Sequence, residues 1–301
     1  MGLRIRTYSE LDGQSSDLAD QVGRQQERVG ARLSSVARVL GVMSGKGGVG
    51  KSLLTAALAS SFARRGLRVG VIDADVNGPS LVRMLGVTAR PLESTPGGVE
   101  PERSPDGVAL MSMALLVDED AAIDWHEPDE AGFVWRGALE RGALREFLSD
   151  VAWGELDVLL VDLPPGTQRL VELHELVPDL AGVVTVTIPS GASRDAVSRS
   201  LELGRRRGLH MLGVVENMSG YRCADCGQIG ALHEGDAATD LAERFDLPVL
   251  ARLPMDIGLG RAAEAGKLAS WLSGDAATAI QLDDLAGRVL DGLAMGEDST
   301  E

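Results

Sequence analysis

The sequence is poor in what several protein classes require. Aromatic residues make up 3% of its 301 positions, too few for the stacking platforms that hold single-stranded nucleic acids. Cations are outnumbered, with 29 Lys and Arg against 45 Asp and Glu, for a net charge of −16. That balance argues against a nonspecific grip on nucleic acid or anionic lipid, because both need clustered positive charge. No stretch reaches the roughly 20 apolar residues that a membrane helix requires. The opening MGLRIRTYSELDG lacks the apolar run of a signal peptide, and Arg6 departs from a myristoylation pattern. The expectation is a cytoplasmic protein with no nucleic-acid partner and no membrane partner. Cysteine is scarce as well. Cys223 and Cys226 are the two present, and a disulfide framework would use more of them, spaced further apart.

Against these absences one stretch stands out, Met43-Ser44-Gly45-Lys46-Gly47-Gly48-Val49-Gly50-Lys51-Ser52. It fits G-x-x-x-x-G-K-[ST], a loop that wraps phosphates in backbone N–H groups. Val36, Val39, Leu40 and Val42 read as the strand entering it, and Leu53 to Arg65 as the helix leaving it. The helix dipole would then face the anion. Lys51 is expected on the β/γ-phosphates of ATP, and the Ser52 hydroxyl on Mg2+. Lys46 is a second cation, early in the loop, that a plain glycine turn does not explain.

The rest of the chain alternates strand and helix from Val36 onward, which implies a mostly parallel sheet with helices on both faces. Strands are expected near 67–72, 108–116, 157–162, 182–188, 211–215 and 249–253. Helices are expected at 135–148, 193–207, 236–245, 260–266 and 276–293. Residues 1–35 read as an N-terminal helical arm, 36–294 as one domain with a cysteine loop at 217–235, and 295–301 as an acidic tail. Excursions are expected at 88–107 and 117–132. Two apolar strands end in carboxylates, VGVIDAD in Asp73 and Asp75, and DVLLVD in Asp162. Strand C-terminal ends share the edge of a parallel sheet with the phosphate loop, so the three carboxylates are expected to converge on it. For any single one, an aspartate that simply stops a strand or caps a turn is the competing reading, weakest for Asp162. Leu163-Pro164-Pro165-Gly166-Thr167, behind Asp162, reads as a turn placed to sense a γ-phosphate.

The pair Cys223-Ala224-Asp225-Cys226-Gly227 is ambiguous by itself: half a zinc site, a redox pair, or half an iron–sulfur site. His233 is a conceivable third ligand, though a lone histidine in a polar loop usually is not one. Four thiolates are reached most simply by two chains meeting on a two-fold axis, with one cluster or one zinc between them.

Taken together, SGKGGVGKS, VIDADVNGPS, LLVDLPPGT, VVENMS and CxxCG resemble the Mrp/ApbC family over about residues 36–270. These are iron–sulfur cluster carrier ATPases of the deviant-Walker class that also includes MinD, ParA and the nitrogenase iron protein. The resemblance implies an α/β P-loop NTPase fold and slow ATP hydrolysis. It also implies a homodimer that holds a labile [4Fe–4S] cluster, taken from an assembly scaffold and passed to apo iron–sulfur proteins. Residue by residue, Lys46 matches the lysine that reaches the partner subunit's phosphates, and Gly45 with Gly47 to Ser52 match the phosphate cradle. Asp73 and Asp75 match the motif that positions water or magnesium. Asn217 matches an asparagine on adenine, and Cys223 with Cys226 match the cluster ligands. Trp135-Arg136-Gly137 looks like the family's W-R-G stretch. Departures are Gln168-Arg169 in place of Gly-Asp, Ala224 in place of proline, and Ile188-Pro189-Ser190 where T-P-Q is frequent. The alternative is a MinD/ParA-like switch whose cysteines bind structural zinc or no metal. Against a membrane-bound or DNA-bound version stand the acidic C-terminus and the net charge, with Arg205-Arg206-Arg207 as the one basic run.

Overall fold

The computed structural model describes residues 23, 26–75, 78–88, 92, 94–95, 97–116, 142–223, 225–232 and 234–297. The expected excursion at 117–132, Trp135-Arg136-Gly137, Ala224, His233, most of the first 25 residues and 298–301 lie outside them.

Strands β1 (Val39–Ser44), β2 (Val69–Asp73), β6 (Ala109–Ser112), β7 (Val158–Asp162), β8 (Gly182–Thr187), β9 (Met211–Arg222) and β11 (Val249–Met255) form the body of one sheet. Short pieces β5 (Glu102–Arg103) and β10 (Ile229–Gly230) extend its two sides. The order is β10-β9-β8-β1-β7-β2-β6-β5, with β11 also on β9. The long strands pair in parallel, while β5 on β6 and β10 on β9 are antiparallel.

The apolar runs are continuous because both faces of the sheet are buried. In β1, Leu40 and Val42 enter one core while Val39 and Met43 enter the other. In β7, Val158 and Leu160 alternate with Leu159 and Val161 in the same way, as a period of two demands. The first face is covered by α2 (Lys51–Arg64), α3 (Leu81–Met84), α8 (Ile257–Glu264), α9 (Leu268–Leu272) and α10 (Ala277–Glu297). The second is covered by α4 (142–150), α5 (Gln168–Leu176), α6 (Gly191–Arg206) and α7 (Ala237–Phe245). Trp153 fills that second core and donates its indole N–H to the Phe147 carbonyl at 3.0 Å. Helix α2 is buried almost throughout, since α10 packs over the side that the sheet leaves open.

The N-terminal arm is helical over its described part, α1 (26–33), and is anchored rather than loose. Val29 is buried, Arg28 pairs with Asp150, and Arg32 donates to the carbonyls of Ser149 and Gly97. Four expectations need correction. The cysteine loop does not begin at residue 217, because β9 continues to Arg222 through pairing with β11 and β10. Helix α5 stands where no element was expected: Leu170, Leu173 and Leu176 recur at helical spacing behind the Pro-Pro-Gly turn and are buried. The excursion at 88–107 carries the two-residue strands β3 (Ser94–Thr95) and β4 (Gly98–Val99), paired as a hairpin, and then β5. Helix α10 runs to Glu297, past the start assigned to an acidic tail. Among the described residues no helix is long and apolar enough to cross a membrane.

Candidate functional site

The loop between β1 and α2 turns through two left-handed glycines, Gly48 at φ 76° and Gly50 at φ 81°, a region open to glycine at no steric cost. Gly50 is also pressed from outside: a Cβ there would lie 2.2 Å from Asn217 Nδ2. The start of the loop backs onto α6, where a Cβ on Gly45 would lie 2.5 Å from the Val197 nitrogen. Ser44 Oγ donates to the Lys46 carbonyl at 2.9 Å, and the Gly166 N–H donates to the Ser44 carbonyl at 3.0 Å. The Pro-Pro-Gly turn is therefore tied to the phosphate loop by main chain. No side chain caps α2, so its first N–H groups remain open toward an anion.

Asp162, at the end of β7, is fully buried and is the hub of the site. It forms an ion pair with Lys51 Nζ at 2.7 Å and accepts Ser52 Oγ at 2.6 Å and Thr55 Oγ1 at 2.7 Å. Lys51, assigned to phosphate, and Ser52, assigned to magnesium, thus rest on one carboxylate. Asp73 stands directly beside it, since the β2–β7 register pairs Asp73 with Asp162. Asp73 accepts the N–H groups of Asp75, Ser80 and Leu81 at 3.1–3.3 Å, and Ser112 Oγ at 3.4 Å. Burial, and secondarily the charge of Asp162, raise the Asp73 carboxyl to a pKa of about 7 despite those donors. Asp75 is half-buried, and its carboxylate has no hydrogen bond or ion pair among the described residues. Lys46 is exposed and likewise unpaired among them.

The structure therefore brings together Lys51, Ser52, Asp73 and Asp162, with Asp75 at the rim and Lys46 facing outward. Asn217, expected on adenine by resemblance, lies against the back of the loop and donates Nδ2 to the Val49 carbonyl at 2.8 Å. Sequence reasoning missed Thr55 and Ser112. Thr55 sits one helical turn after Ser52, a spacing that puts both hydroxyls on one face. Ser112 ends β6 beside Asp73, as the register of adjacent parallel strands requires.

The cysteine pair lies at the other end of β9. After Asn217 the strand bulges: Met218 has φ 53°, and two β11 steps oppose four on β9. The turn is closed by Cys223 N–H to the Gln228 carbonyl and Gly227 N–H to the Cys223 carbonyl, both at 2.9 Å, with Gly227 at φ 72°. Cys223 is half-buried and Cys226 exposed, and neither is in a disulfide. The backbone N–H groups of Cys226 and Asp225, then the Cys226 side chain, hold the Cys223 thiol below its ordinary pKa. Such a thiol is a ready ligand for a thiophilic metal, because the thiolate is the form that binds. Among the described residues no third Cys, His, Asp or Glu joins the pair to complete a metal site.

A glycine loop opening a helix, a lysine and a serine on the aspartate of a neighbouring parallel strand, and helices on both sheet faces define a P-loop NTPase. Within that class, the chain belongs to the ParA group described as NUBPL iron-transfer P-loop NTPases, whose family model matches residues 35–290. It is 35% identical over 264 residues to an iron–sulfur cluster carrier protein of Saccharolobus solfataricus, covering 87% of this chain and 86% of that one. It is 38% identical over 240 residues to the human cytosolic Fe-S cluster assembly factor NUBP2, covering 78% and 85%. Among solved structures, an Archaeoglobus fulgidus nucleotide-binding protein in complex with ADP superposes with a TM-score of 0.68 at 32% identity, over 82% of this chain and 96% of that one. MinD of Pyrococcus horikoshii with Mg-ADP gives a TM-score of 0.58 at 19% identity, over 86% and 98%, and so shares the fold.

Proposed function

We propose that the protein is an ATP-hydrolysing iron–sulfur cluster carrier that works as a homodimer. In this reading Cys223 and Cys226 of two copies hold one [4Fe–4S] cluster as cargo, received from an assembly scaffold and released to apo-proteins. The observation that carries it is the cysteine turn: two unoxidised thiols, one of them acidified by turn amides, with no third ligand among the described residues. Half a site on a two-fold axis becomes a whole one.

On the nucleotide side, Asp162 keeps Lys51 and Ser52 in place until phosphate draws the lysine away. Lys46 faces outward, where a second copy's phosphates would meet it. Ser52 Oγ and the Asp162 carboxylate are hard oxygen donors of the type Mg2+ takes, and the ion bound there would neutralise charge on the phosphates. Asp73, beside Asp162 at the end of β2, and Asp75, whose carboxylate is unpaired among the described residues at the rim, are the carboxylates that would position an attacking water or the metal.

Anaerobic incubation with iron and sulfide tests the reading. Wild type is expected to take up about four iron per pair of chains, with visible cluster absorption, and Cys223→Ala/Cys226→Ala none. Equal uptake by both proteins would remove the carrier reading. A colourless dimer with one bound zinc would replace it with a structural clamp.

A further inference from the structure

Arg222 is the last residue of β9 and immediately precedes Cys223. Its side chain is 22% exposed although the hairpin it serves is exposed at its tip. Nη1 donates to the carbonyl of Gly227, the residue after Cys226, at 3.4 Å. The guanidinium thus spans the neck of the cysteine turn. On its other side Nε faces Asp256 Oδ2 at 3.8 Å, and Nε is buried without a hydrogen-bond partner. Asp256 is itself fixed, accepting the N–H groups of Gly258 and Leu259 as the cap of α8 and Thr278 Oγ1 from α10 at 2.7 Å. The chain of contacts runs from the body of the domain through Arg222 to the peptide behind Cys226.

A guanidinium has five N–H donors, and in Arg222 a single hydrogen bond is made among the described residues. Of these donors Nε is buried without a hydrogen-bond partner, which is unfavourable, and an anion within hydrogen-bond reach reverses the sign. The other arginine near this end of β9, Arg252, is already committed to Asp236, Thr239 and Glu216. In a chain of net charge −16, a cation with spare donors at the neck of the cysteine turn is a specific arrangement.

We propose that Arg222 is a positioning residue for the cysteine pair and the counter-ion of its cargo. It holds the turn through Gly227 and offers its unused N–H groups to the bound anion. The inference rests on the carrier reading for its second half. A [4Fe–4S] core of charge 2+ held by four thiolates is a dianion, and each copy would bring to it one guanidinium, shared with Asp256 on its other side. Hydrogen bonds and positive charge near cluster sulfurs raise the reduction potential.

Wild type, Arg222→Lys and Arg222→Gln are compared first as apo-proteins and then after anaerobic loading. In the apo state, the amides of Cys223 and Gly227 are expected to exchange about tenfold faster in Arg222→Gln, because the tie to Gly227 is gone. After loading, iron should pass to a chelator roughly fivefold faster in Arg222→Gln, with Arg222→Lys between it and wild type. The cluster potential should fall in Arg222→Gln and stay near wild type in Arg222→Lys, which keeps the charge. Equal exchange in all three proteins overturns the positioning role, and an unchanged potential in Arg222→Gln overturns the counter-ion role. If wild type takes up no iron the carrier reading fails, while the exchange comparison still decides whether Arg222 holds the turn.

Discussion

Asp162 is fully buried, with a lysine ion-paired to it and a serine and a threonine of the same helix donating to it, all within 2.7 Å. Cys226 is exposed, and its turn is held by two main-chain hydrogen bonds and one long contact from Arg222. The first region is a finished electrostatic assembly whose parts satisfy one another before any ligand arrives. The second gathers two thiols and, among the described residues, no further metal ligand. Buried ion pairing and hydrogen bonding are therefore concentrated at the phosphate loop, while the cysteine turn is held mostly by main chain.

The contrast is sharpened most by Lys51→Met. It leaves Asp162 buried without its cation, and loss of one partner from a buried pair costs roughly 3–5 kcal/mol. The urea midpoint of the apo-protein measures this, and a variant as stable as wild type would break the account of Asp162 as the hub. Next comes Asp73→Asn, with the opposite sign. The Asp73 pKa is raised from 3.8 to about 7 in the fold, so between those values the native state binds more protons than the unfolded chain. Stability contributed here falls as pH rises through that window and is lowest above it. Asp73→Asn is thus expected to stabilise the apo-protein by about 2–3 kcal/mol at pH 8 and by little at pH 4. Urea titrations at the two pH values test it, and a gain that does not grow with pH contradicts a buried charge at Asp73. Thr55→Val is smaller, a destabilisation of about 1–2 kcal/mol from one lost bond to a charged acceptor. At the other region, Cys223→Ala/Cys226→Ala should move the same midpoint by less than about 0.5 kcal/mol. If it unfolds the protein instead, the two regions are not built differently.

Much of the phosphate site was legible because its chemistry is consecutive in the chain. Gly45 to Ser52 lie in one run, and Asp73 and Asp162 each end an apolar strand, so a parallel sheet brings them to one edge without further information. Partners set by helix pitch and by register were harder. Thr55 is an ordinary residue of an Ala/Leu-rich helix until Asp162 is placed above it. Helix α5 was hidden because the Pro-Pro-Gly turn draws attention to itself and away from three leucines behind it. The end of β9 was misread because Asn217 to Gly220 look like loop chemistry, whereas pairing with β11 through a bulge keeps them in the sheet. Asn217 illustrates the limit of motif reading: resemblance puts it on the base, and the fold adds a bond to the loop itself. Arg222 carried no motif, and its meaning came from Gly227 across the turn.

Asn217 and Cys223 are six residues apart on the same continuous length of chain, with the Met218 kink between them. Asn217 ties the near end of this stretch to the Val49 carbonyl, and β10 and β11 hold its far end in the sheet. One unbroken length of backbone therefore joins the phosphate loop to the cysteine turn, with a single left-handed residue along it.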